Sequence, residues 1–265
     1  QNAPMLTIRH TPLRSLSFGA AHQRRGVPAA ASSSMAYKSE PSPLVIDTLR
    51  GAKAICFDVD STFCADESID EVAAWLGVGE QVAAMTAKAM GGTADFKTAL
   101  QSRLDVMNVS KQNIDQFLVQ HPHKLTKGIP ELVTILKSQG KEVFLVSGGF
   151  RQIIHPLAES LNIPITNVFA NSILFNDDGS YAGFDDNEFT SRSGGKPACI
   201  RHIKETRGLS PIVMVGDGAT DLEARLEGAA DIFIGYGGVV ERKNVAEKAD
   251  WYIYDIQKMI DVLQS

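Results

Sequence analysis

Ala54-Ile55-Cys56-Phe57-Asp58-Val59-Asp60-Ser61-Thr62 joins four apolar residues to two carboxylates and two hydroxyls. An apolar run of this kind is typical of a strand buried in a parallel sheet. The residues just past the carboxyl end of such a strand form the ligand crevice of an open α/β sheet. Because side chains alternate along an extended chain, we expect Asp58 and Asp60 on the same side of the backbone. Two such carboxylates suit a divalent cation, or a nucleophile and an acid acting on a phosphate. An ordinary turn with Asp and Ser as helix caps fits these residues equally well.

After this segment, short apolar runs alternate with runs of helical period. The alternation predicts an α/β fold with a doubly wound, mostly parallel, Rossmann-like sheet and right-handed crossovers. We expect strands at 53–58, 143–146, 168–170, 212–215, 232–234 and 251–253. We expect helices at 131–139, 196–207, 219–226, 239–248 and 256–263, and one that follows Ser147-Gly148-Gly149 and ends at Leu161.

Two segments interrupt this alternation. Residues 68–120 have helical spacing and no convincing strand, which predicts a helical-bundle cap over residues 67–124, at the mouth of the sheet. Residues 173–184, with Asp178-Gly179 at the turn, predict a small β-hairpin flap within the core. The core itself is then expected at residues 41–66 and 125–265.

The first 39 residues contain five Arg or Lys residues, no Asp or Glu, and the run Ala29-Ala30-Ala31-Ser32-Ser33-Ser34. This composition is typical of an organelle transit peptide, so we expect a disordered segment of that kind at residues 1–40. A plain disordered tail is the alternative.

The net charge of the chain is −5, so the residues after this basic segment carry a net charge of −10. Such an acidic body argues against a nucleic-acid partner and fits an enzyme that uses a cation. The apolar runs are shorter than the ~20 residues that a membrane helix needs, so no membrane partner is expected. Three cysteines without metal-ligand spacing argue against a disulfide framework and for a reducing compartment.

Four polar groups lie at or near the carboxyl ends of predicted strands, where they are expected to converge in the folded chain. They are Asp58 with Asp60, Ser147-Gly148-Gly149, Lys196 at a helix start, and Gly216-Asp217-Gly218-Ala219-Thr220-Asp221.

This combination suits a phosphate site. The Ser147 hydroxyl and the amides of Gly148 and Gly149, expected at a helix N-terminus, would donate to phosphate oxygens. Lys196 would neutralise the charge of the phosphate and of a carboxylate. Asp217 and Asp221 could hold Mg²⁺ together with Asp58. Each group taken alone fits an ordinary loop, a solvated lysine or a helix cap.

The four groups together resemble the four motifs of the haloacid dehalogenase superfamily. A closer resemblance, over roughly residues 45–265, is to its phosphoserine phosphatase family. It rests on Asp66-Glu67-Ser68-Ile69-Asp70-Glu71, on Ala89-Met90-Gly91-Gly92 with Phe96-Lys97 and Arg103, and on Val146-Ser147-Gly148-Gly149-Phe150. Residues 1–40 resemble a plant plastid transit region. The predicted location is therefore the chloroplast stroma, with mitochondrion or cytoplasm as alternatives.

The resemblance implies Mg²⁺-dependent hydrolysis of O-phospho-L-serine, the last step of phosphorylated serine biosynthesis. Asp58 would be the nucleophile that forms a phosphoaspartate, and Asp60 the general acid and base. Mg²⁺ would be bound by the Asp58 carboxylate, the Asp60 carbonyl and the Asp217 carboxylate, with Asp221 supporting the site from behind. Ser147, Gly148, Gly149 and Lys196 would stabilise the transferring phosphoryl group.

The resemblance also implies how the serine end of the substrate is bound. Glu67 would meet the ammonium and Arg103 the carboxylate. Met90, Gly91 and Phe96 would line the cap and exclude water, and Thr220 would contact the substrate. The partner is thus the small molecule phosphoserine, and a homodimer is compatible with the sequence.

Three other functions stay open at this point. A phosphotransferase of the same superfamily would move the phosphoryl group to an alcohol such as homoserine. A regulatory module would use a phosphorylated Asp58 as a switch without turnover, although Asp60 argues against it. A metallohydrolase would use bound hydroxide and form no covalent intermediate.

Overall fold

Six strands form one parallel sheet at the centre of a computed structural model that describes residues 37–90 and 96–265, without the side chains of 87–90. All of these residues belong to one compact unit, Ala36–Ser265. Most of the expected transit segment, residues 1–36, lies outside the described residues, as does Gly91.

The strands of this sheet are β1 Ala54–Phe57, β2 Glu142–Phe150, β3 Val168–Asn171, β6 Ile212–Gly216, β7 Ile232–Tyr236 and β8 Trp251–Ile253. Their order in the sheet is β3-β2-β1-β6-β7-β8, and each neighbouring pair is parallel. The strand order reverses at β1, and the carboxyl ends of β1, β2 and β6 lie side by side there, where an open α/β sheet binds its ligands. The doubly wound fold expected from the sequence is confirmed.

Helices cover both faces of the sheet because every residue of β1 is buried and needs apolar neighbours on each side. One apolar core contains Ile55 and Phe57 with side chains of α1, α6, α7 and α11, and the other contains Cys56 with side chains of α8 and α9. These helices are α1 Pro43–Gly51, α6 Ile129–Ser138, α7 Arg151–Ser160, α8 Gly195–Arg207, α9 Ala219–Leu226, the short α10 Lys243–Ala246 and α11 Gln257–Gln264.

Four helices follow β1 where the sequence predicted a helical cap: α2 Ser68–Trp75, α3 Gly79–Met90, α4 Phe96–Met107 and α5 Lys111–Gln120. They share an apolar core that includes Val72, Leu100 and Leu104. An antiparallel hairpin of β4 Ile173–Phe175 and β5 Tyr181–Phe184 packs against this core. The Lys111 amide donates to the Gly179 carbonyl at 2.9 Å, which joins the hairpin turn to α5.

Two local predictions differ from the structure. Ser147-Gly148-Gly149 belongs to β2 rather than to a helix start, because β2 pairs again with β3 at Phe150 and Asn171 after a register shift. The helix expected at 239–248 is reduced to α10, because residues 237–242 form a loop whose Glu241 and Arg242 side chains bond to groups elsewhere.

Within the described ranges, none of the helices has the length and apolar character required to cross a bilayer.

Candidate active site

Asp58 directly follows the last residue of β1 and is held at the edge of the sheet by its backbone. Its amide donates to the Val215 carbonyl at 2.9 Å, which continues the pairing of β1 with β6. Its Oδ1 accepts the Val59 amide at 2.7 Å. The side chain is 13 % exposed and lines the site cavity.

Asp60 lies in a wide turn over Val59–Phe63, close enough to Asp58 for the two carboxylates to interact. Ser61 adopts a φ of 54°, a conformation that costs a residue other than glycine some strain and is typical of functional turns. The Asp60 Oδ1 accepts two hydrogen bonds from Ser68, one from the amide at 2.9 Å and one from the hydroxyl at 2.7 Å. These bonds fix the orientation of the Asp60 carboxyl group.

The acidity of Asp60 differs from that of an ordinary aspartate. Burial, and then the nearby Asp58 charge, raise the pKa of Asp60 to about 7, although the Ser68 hydrogen bonds oppose this rise. A carboxyl group with a pKa near neutrality can both give and accept a proton, as a general acid and base must.

Lys196 lies in the first turn of α8 and bridges two carboxylates. Its Nζ is 2.9 Å from Asp58 Oδ2 and 2.5 Å from Asp221 Oδ1, and its side chain is 7 % exposed. Burial alone would lower the pKa of Lys196, but these two carboxylates raise it above its usual value. The ammonium therefore stays charged beside Asp58.

Asp221 is fully buried behind this lysine. Its second oxygen accepts the Gly218 amide at 2.9 Å, so both of its oxygens are engaged within the protein. Burial, and then Asp58, raise the pKa of Asp221, and Lys196 opposes that rise. A Cβ at Gly216 would lie 2.2 Å from the Asp221 carboxyl group, so only glycine leaves room for this side chain.

Asp217 directly follows β6 and pairs with Arg242, a residue that was not predicted from the sequence. Its Oδ2 accepts Arg242 Nε at 2.9 Å, and its Oδ1 accepts the Thr62 hydroxyl at 3.3 Å. Arg242 Nη2 also lies 4.0 Å from Glu67 Oε1. Arg242 lies within the segment predicted as the helix 239–248, so the sequence did not place its side chain at the strand ends.

Ser147 and Gly149 are bonded to each other at the end of β2. The Gly149 amide donates to Ser147 Oγ at 2.9 Å, and Ser147 is fully buried. The expectation that the Gly148 and Gly149 amides stand at a helix N-terminus is wrong, because the backbone there is extended and α7 begins only at Arg151. Gly148 nevertheless lines the site cavity.

A cavity of about 190 Å³ joins most of the predicted site residues. It contains the carboxylates of β1 and β6, the α8 lysine and parts of the cap. The predicted residues that line it are Asp58, Asp60, Glu67, Phe96, Gly148, Lys196, Asp217 and Thr220. It is also lined by Thr190, Arg192 and Arg242, which were not predicted from the sequence as site residues. Ser147, Gly149 and Asp221 lie outside its lining, the first two at the end of β2 and the third behind Lys196.

Glu67 lies where the chain enters the cap, and Ser61 Oγ donates to its Oε1 at 2.7 Å. Burial raises the pKa of Glu67, and the Ser61 hydrogen bond opposes the rise. The carboxyl group lies on the wall of the cavity, 4.0 Å from Arg242 Nη2.

Arg103 is not part of the cavity lining. Its Nε donates to the Ala99 carbonyl at 3.2 Å and its Nη1 to Thr86 Oγ1 at 3.5 Å. Phe96, which does line the cavity, lies seven residues earlier in α4, and such a spacing corresponds to about 10 Å along a helix. Met90 ends α3, and its side chain is outside the described residues.

The donor groups fit a hard divalent cation. One oxygen each of Asp58, Asp217 and Asp221 lie within 4.8 Å of one another. Asp58 and Asp217 line the cavity and Asp221 does not, so Asp58 and Asp217 are the carboxylates that a cation in the cavity can reach. Burial, and then the Asp58 charge, raise the pKa of Asp217, and Arg242 opposes that rise. Two carboxylates with room for water suit Mg²⁺.

Comparison with known proteins agrees with this geometry. Residues 52–227 match the family described as haloacid dehalogenase-like hydrolase. The chain belongs to this family. The resemblance stated from its motifs is thereby confirmed, and the chain is a hydrolase by family.

Curated relatives in this family are phosphoserine phosphatases. The chloroplastic enzyme of Arabidopsis thaliana is 48% identical over 223 residues, which cover 84% of this chain and 76% of the relative. The enzyme of Bos taurus is 49% identical over 213 residues, which cover 80% of this chain and 94% of the relative.

Two solved structures superpose on the chain. DsGPDH of Dunaliella salina has a TM-score of 0.76 and 36% identity, and the match covers 85% of this chain but only 38% of that protein. The phospho-aspartyl intermediate analogue of a phosphoserine phosphatase has a TM-score of 0.68 and 28% identity, with coverages of 79% and 98%.

Proposed function

We propose that this hydrolase converts O-phospho-L-serine and water to L-serine and phosphate through a phosphoaspartate on Asp58. The observation that carries the proposal is the meeting of Asp58, Lys196 and Asp60 around one cavity. The choice of phosphoserine as substrate rests on the phosphoserine phosphatases among its relatives, which are 48% and 49% identical in sequence.

In the first step, an Asp58 carboxylate oxygen attacks phosphorus and the bond from phosphorus to the serine oxygen breaks. Asp60 gives its proton to that leaving oxygen. The pKa of about 7 supports this role, because much of Asp60 still carries a proton near neutral pH.

In the second step, Asp60 takes a proton from water, which attacks the phosphorus of the phosphoaspartate. Phosphate leaves, and the Asp58 carboxylate and the Asp60 proton are restored. Asp60 therefore acts once as acid and once as base in each turnover.

Mg²⁺ would be held by the carboxylates of Asp58 and Asp217 and by the Asp60 carbonyl. When bound, it offsets the repulsion between an anionic nucleophile and an anionic substrate. Lys196 supplies a second positive charge beside Asp58 and orients the attacking carboxylate. Asp221 fixes that lysine from behind.

The phosphoryl oxygens would be bound by Lys196, the Ser147 hydroxyl and the amides at the end of β2. Gly148 lines the cavity, which supports its share of this role. The Gly149 amide is bonded to Ser147 Oγ, so it would act by orienting that hydroxyl toward the phosphate.

The serine end of the substrate would be bound by the cap, formed by α2–α5. Glu67 on the cavity wall suits an ammonium, and Phe96 excludes water above it. Thr220 would contact the substrate from α9. Arg103 would bind the carboxylate after turning from Thr86 into the cavity.

The same relatives suggest a location and a pathway. We propose the plastid stroma because the Arabidopsis thaliana relative is chloroplastic and residues 1–39 have the composition of a transit peptide. Formation of L-serine from its phosphate ester would be the last step of phosphorylated serine biosynthesis.

The test is phosphate release from a panel of phosphorylated small molecules, with and without Mg²⁺. We expect phosphoserine to be turned over fastest and only with the cation. Phosphorylation of an added alcohol without free phosphate would instead indicate a phosphotransferase. Asp58→Asn should abolish turnover while keeping the fold, and normal turnover by that variant would exclude Asp58 as nucleophile.

A further inference from the structure

Residues 37–39 lie against the outer edge of β8. The Tyr252 amide donates to the Lys38 carbonyl at 2.9 Å, and the Trp251 indole Nε1 donates to the Ser39 carbonyl at 2.9 Å. The Tyr37 ring meets the Tyr252 ring edge-on, with centroids 5.4 Å apart. The short segment before α1 is therefore anchored to β8 by backbone, side-chain and ring contacts.

This anchored segment and the end of β8 both reach Glu241. The Tyr37 hydroxyl donates to Glu241 Oε1 at 3.1 Å, and the Tyr254 hydroxyl donates to Glu241 Oε2 at 3.0 Å. Each oxygen of one carboxylate thus accepts a hydroxyl from a different part of the chain. Hydrogen bonds to an ionised acceptor are stronger than those between neutral groups, so the pair fixes the Glu241 side chain.

Glu241 belongs to the 237–242 loop, which passes closely over β8. The Gly237 amide donates to the Ile253 carbonyl at 2.8 Å, and a Cβ at Gly237 would lie 2.4 Å from the Tyr252 hydroxyl oxygen. Glu241 is anchored at the far end of this loop. The side chain of the next residue, Arg242, donates from Nε to Asp217 Oδ2 at 2.9 Å.

We propose that Tyr37 and Tyr254 are positioning residues, which hold Glu241 and thereby set Arg242 against Asp217. The inference rests on the proposed use of Asp217 as a Mg²⁺ ligand. Arg242 occupies Oδ2 of Asp217 and leaves Oδ1 to face the cation, with only a long bond from Thr62 at 3.3 Å. A ligand carboxylate that is oriented by a hydrogen-bonded partner binds metal more tightly.

The test measures Mg²⁺ binding to the full chain by isothermal titration calorimetry, in the absence of substrate. Tyr37→Phe combined with Tyr254→Phe removes both hydroxyls and keeps both rings. We expect the dissociation constant for Mg²⁺ to rise about tenfold. Tyr181→Phe is the matched control, because its hydroxyl bonds Gln101 at 3.1 Å in the cap and has no link to Arg242, so Mg²⁺ binding should not change.

A second comparison separates positioning through Glu241 from a general loss of stability. In a Glu241→Ala background, removal of both hydroxyls should add nothing to the loss of Mg²⁺ affinity, because the residue they hold is gone. Additive losses, or unchanged Mg²⁺ affinity in the double tyrosine variant, would overturn the inference alone. A parent chain that binds no Mg²⁺ would overturn the proposed function, and this inference with it.

Discussion

Lys196 Nζ lies 2.9 Å from Asp58 Oδ2, so one ammonium at the start of α8 faces the carboxylate at the end of β1. The same ammonium holds Asp221, and Arg242 holds Asp217. Two positively charged side chains therefore pair with three carboxylates at this edge of the sheet. The remaining negative charge suits a divalent cation, which would in turn offset the repulsion of an anionic phosphate ester.

The first prediction concerns Lys196→Met, which keeps the volume of the side chain and removes its charge. We expect kcat to fall at least about 100-fold, because a charge that stabilises the transferring phosphoryl group is lost. Without Mg²⁺, the free energy of unfolding at neutral pH should fall by about 3 kcal/mol, because two buried carboxylates lose their partner. Phosphate release and denaturant unfolding measure the two effects.

Lys196→Met with Asp221→Asn is the control for this prediction. Removal of the Asp221 charge relieves the buried repulsion, so most of the lost stability should return while turnover stays low. Recovery of turnover together with stability would show that Lys196 matters only for folding.

The second prediction concerns the pH dependence of stability and rests on Asp60, whose pKa is raised to about 7. The unfolded chain loses this proton near pH 4, so between about pH 4 and pH 7 the folded chain holds more protons. Its free energy of unfolding therefore falls as pH rises through that window. Asp60→Asn lacks this titration. Its free energy of unfolding, relative to that of the parent chain, should therefore rise by up to about 4 kcal/mol between pH 4 and pH 8.

Denaturant unfolding of both chains in Mg²⁺-free buffer checks this prediction, since a nearby cation would itself change the pKa of Asp60. The informative quantity is the difference between the two chains at each pH, because other titrating groups cancel in it. A constant difference across this range would show that Asp60 is ionised throughout.

The third prediction concerns Ser68, whose amide and hydroxyl both donate to Asp60 Oδ1. These bonds stabilise the carboxylate and lower the pKa of Asp60. Ser68→Ala removes the hydroxyl bond and keeps the amide bond, so the pKa of Asp60 should rise. In Ser68→Ala, the decline of kcat at high pH should move to higher pH, because the general acid keeps its proton longer. The kcat–pH profile measures this shift. A change in kcat without a shift of the profile would contradict the link to Asp60.

The sheet and the strand-end carboxylates could be predicted from the sequence because their signals are local. β1 and β6 are continuous apolar runs, and Asp58 and Asp217 directly follow them in the chain. Parallel strands then bring such ends to one edge whatever their separation in sequence. Lys196 was predicted for a similar reason, since it opens a clearly periodic helix.

Other parts of the site depend on tertiary contacts that no local pattern records. Ser147-Gly148-Gly149 has the composition of a loop, but renewed pairing with β3 keeps it extended. Arg242 reaches Asp217 from a loop shaped by its packing over β8, so its role could not be predicted from its neighbours. The bond of Arg103 to Thr86 follows from the packing of α3 against α4.

The last prediction concerns Arg103, the proposed partner of the substrate carboxylate. In Arg103→Ala, we expect KM for phosphoserine to rise about 30-fold or more, because a charged hydrogen-bonded pair of about 2 kcal/mol is lost. A small aryl phosphate has no carboxylate, so its KM should change much less. Arg201→Ala is the matched control, because Arg201 pairs with Glu227 at 3.2 Å on the exposed side of α8 and should affect neither substrate. Equal rises for both substrates would mean that Arg103 supports the cap through Ala99 and Thr86 and does not bind the substrate carboxylate.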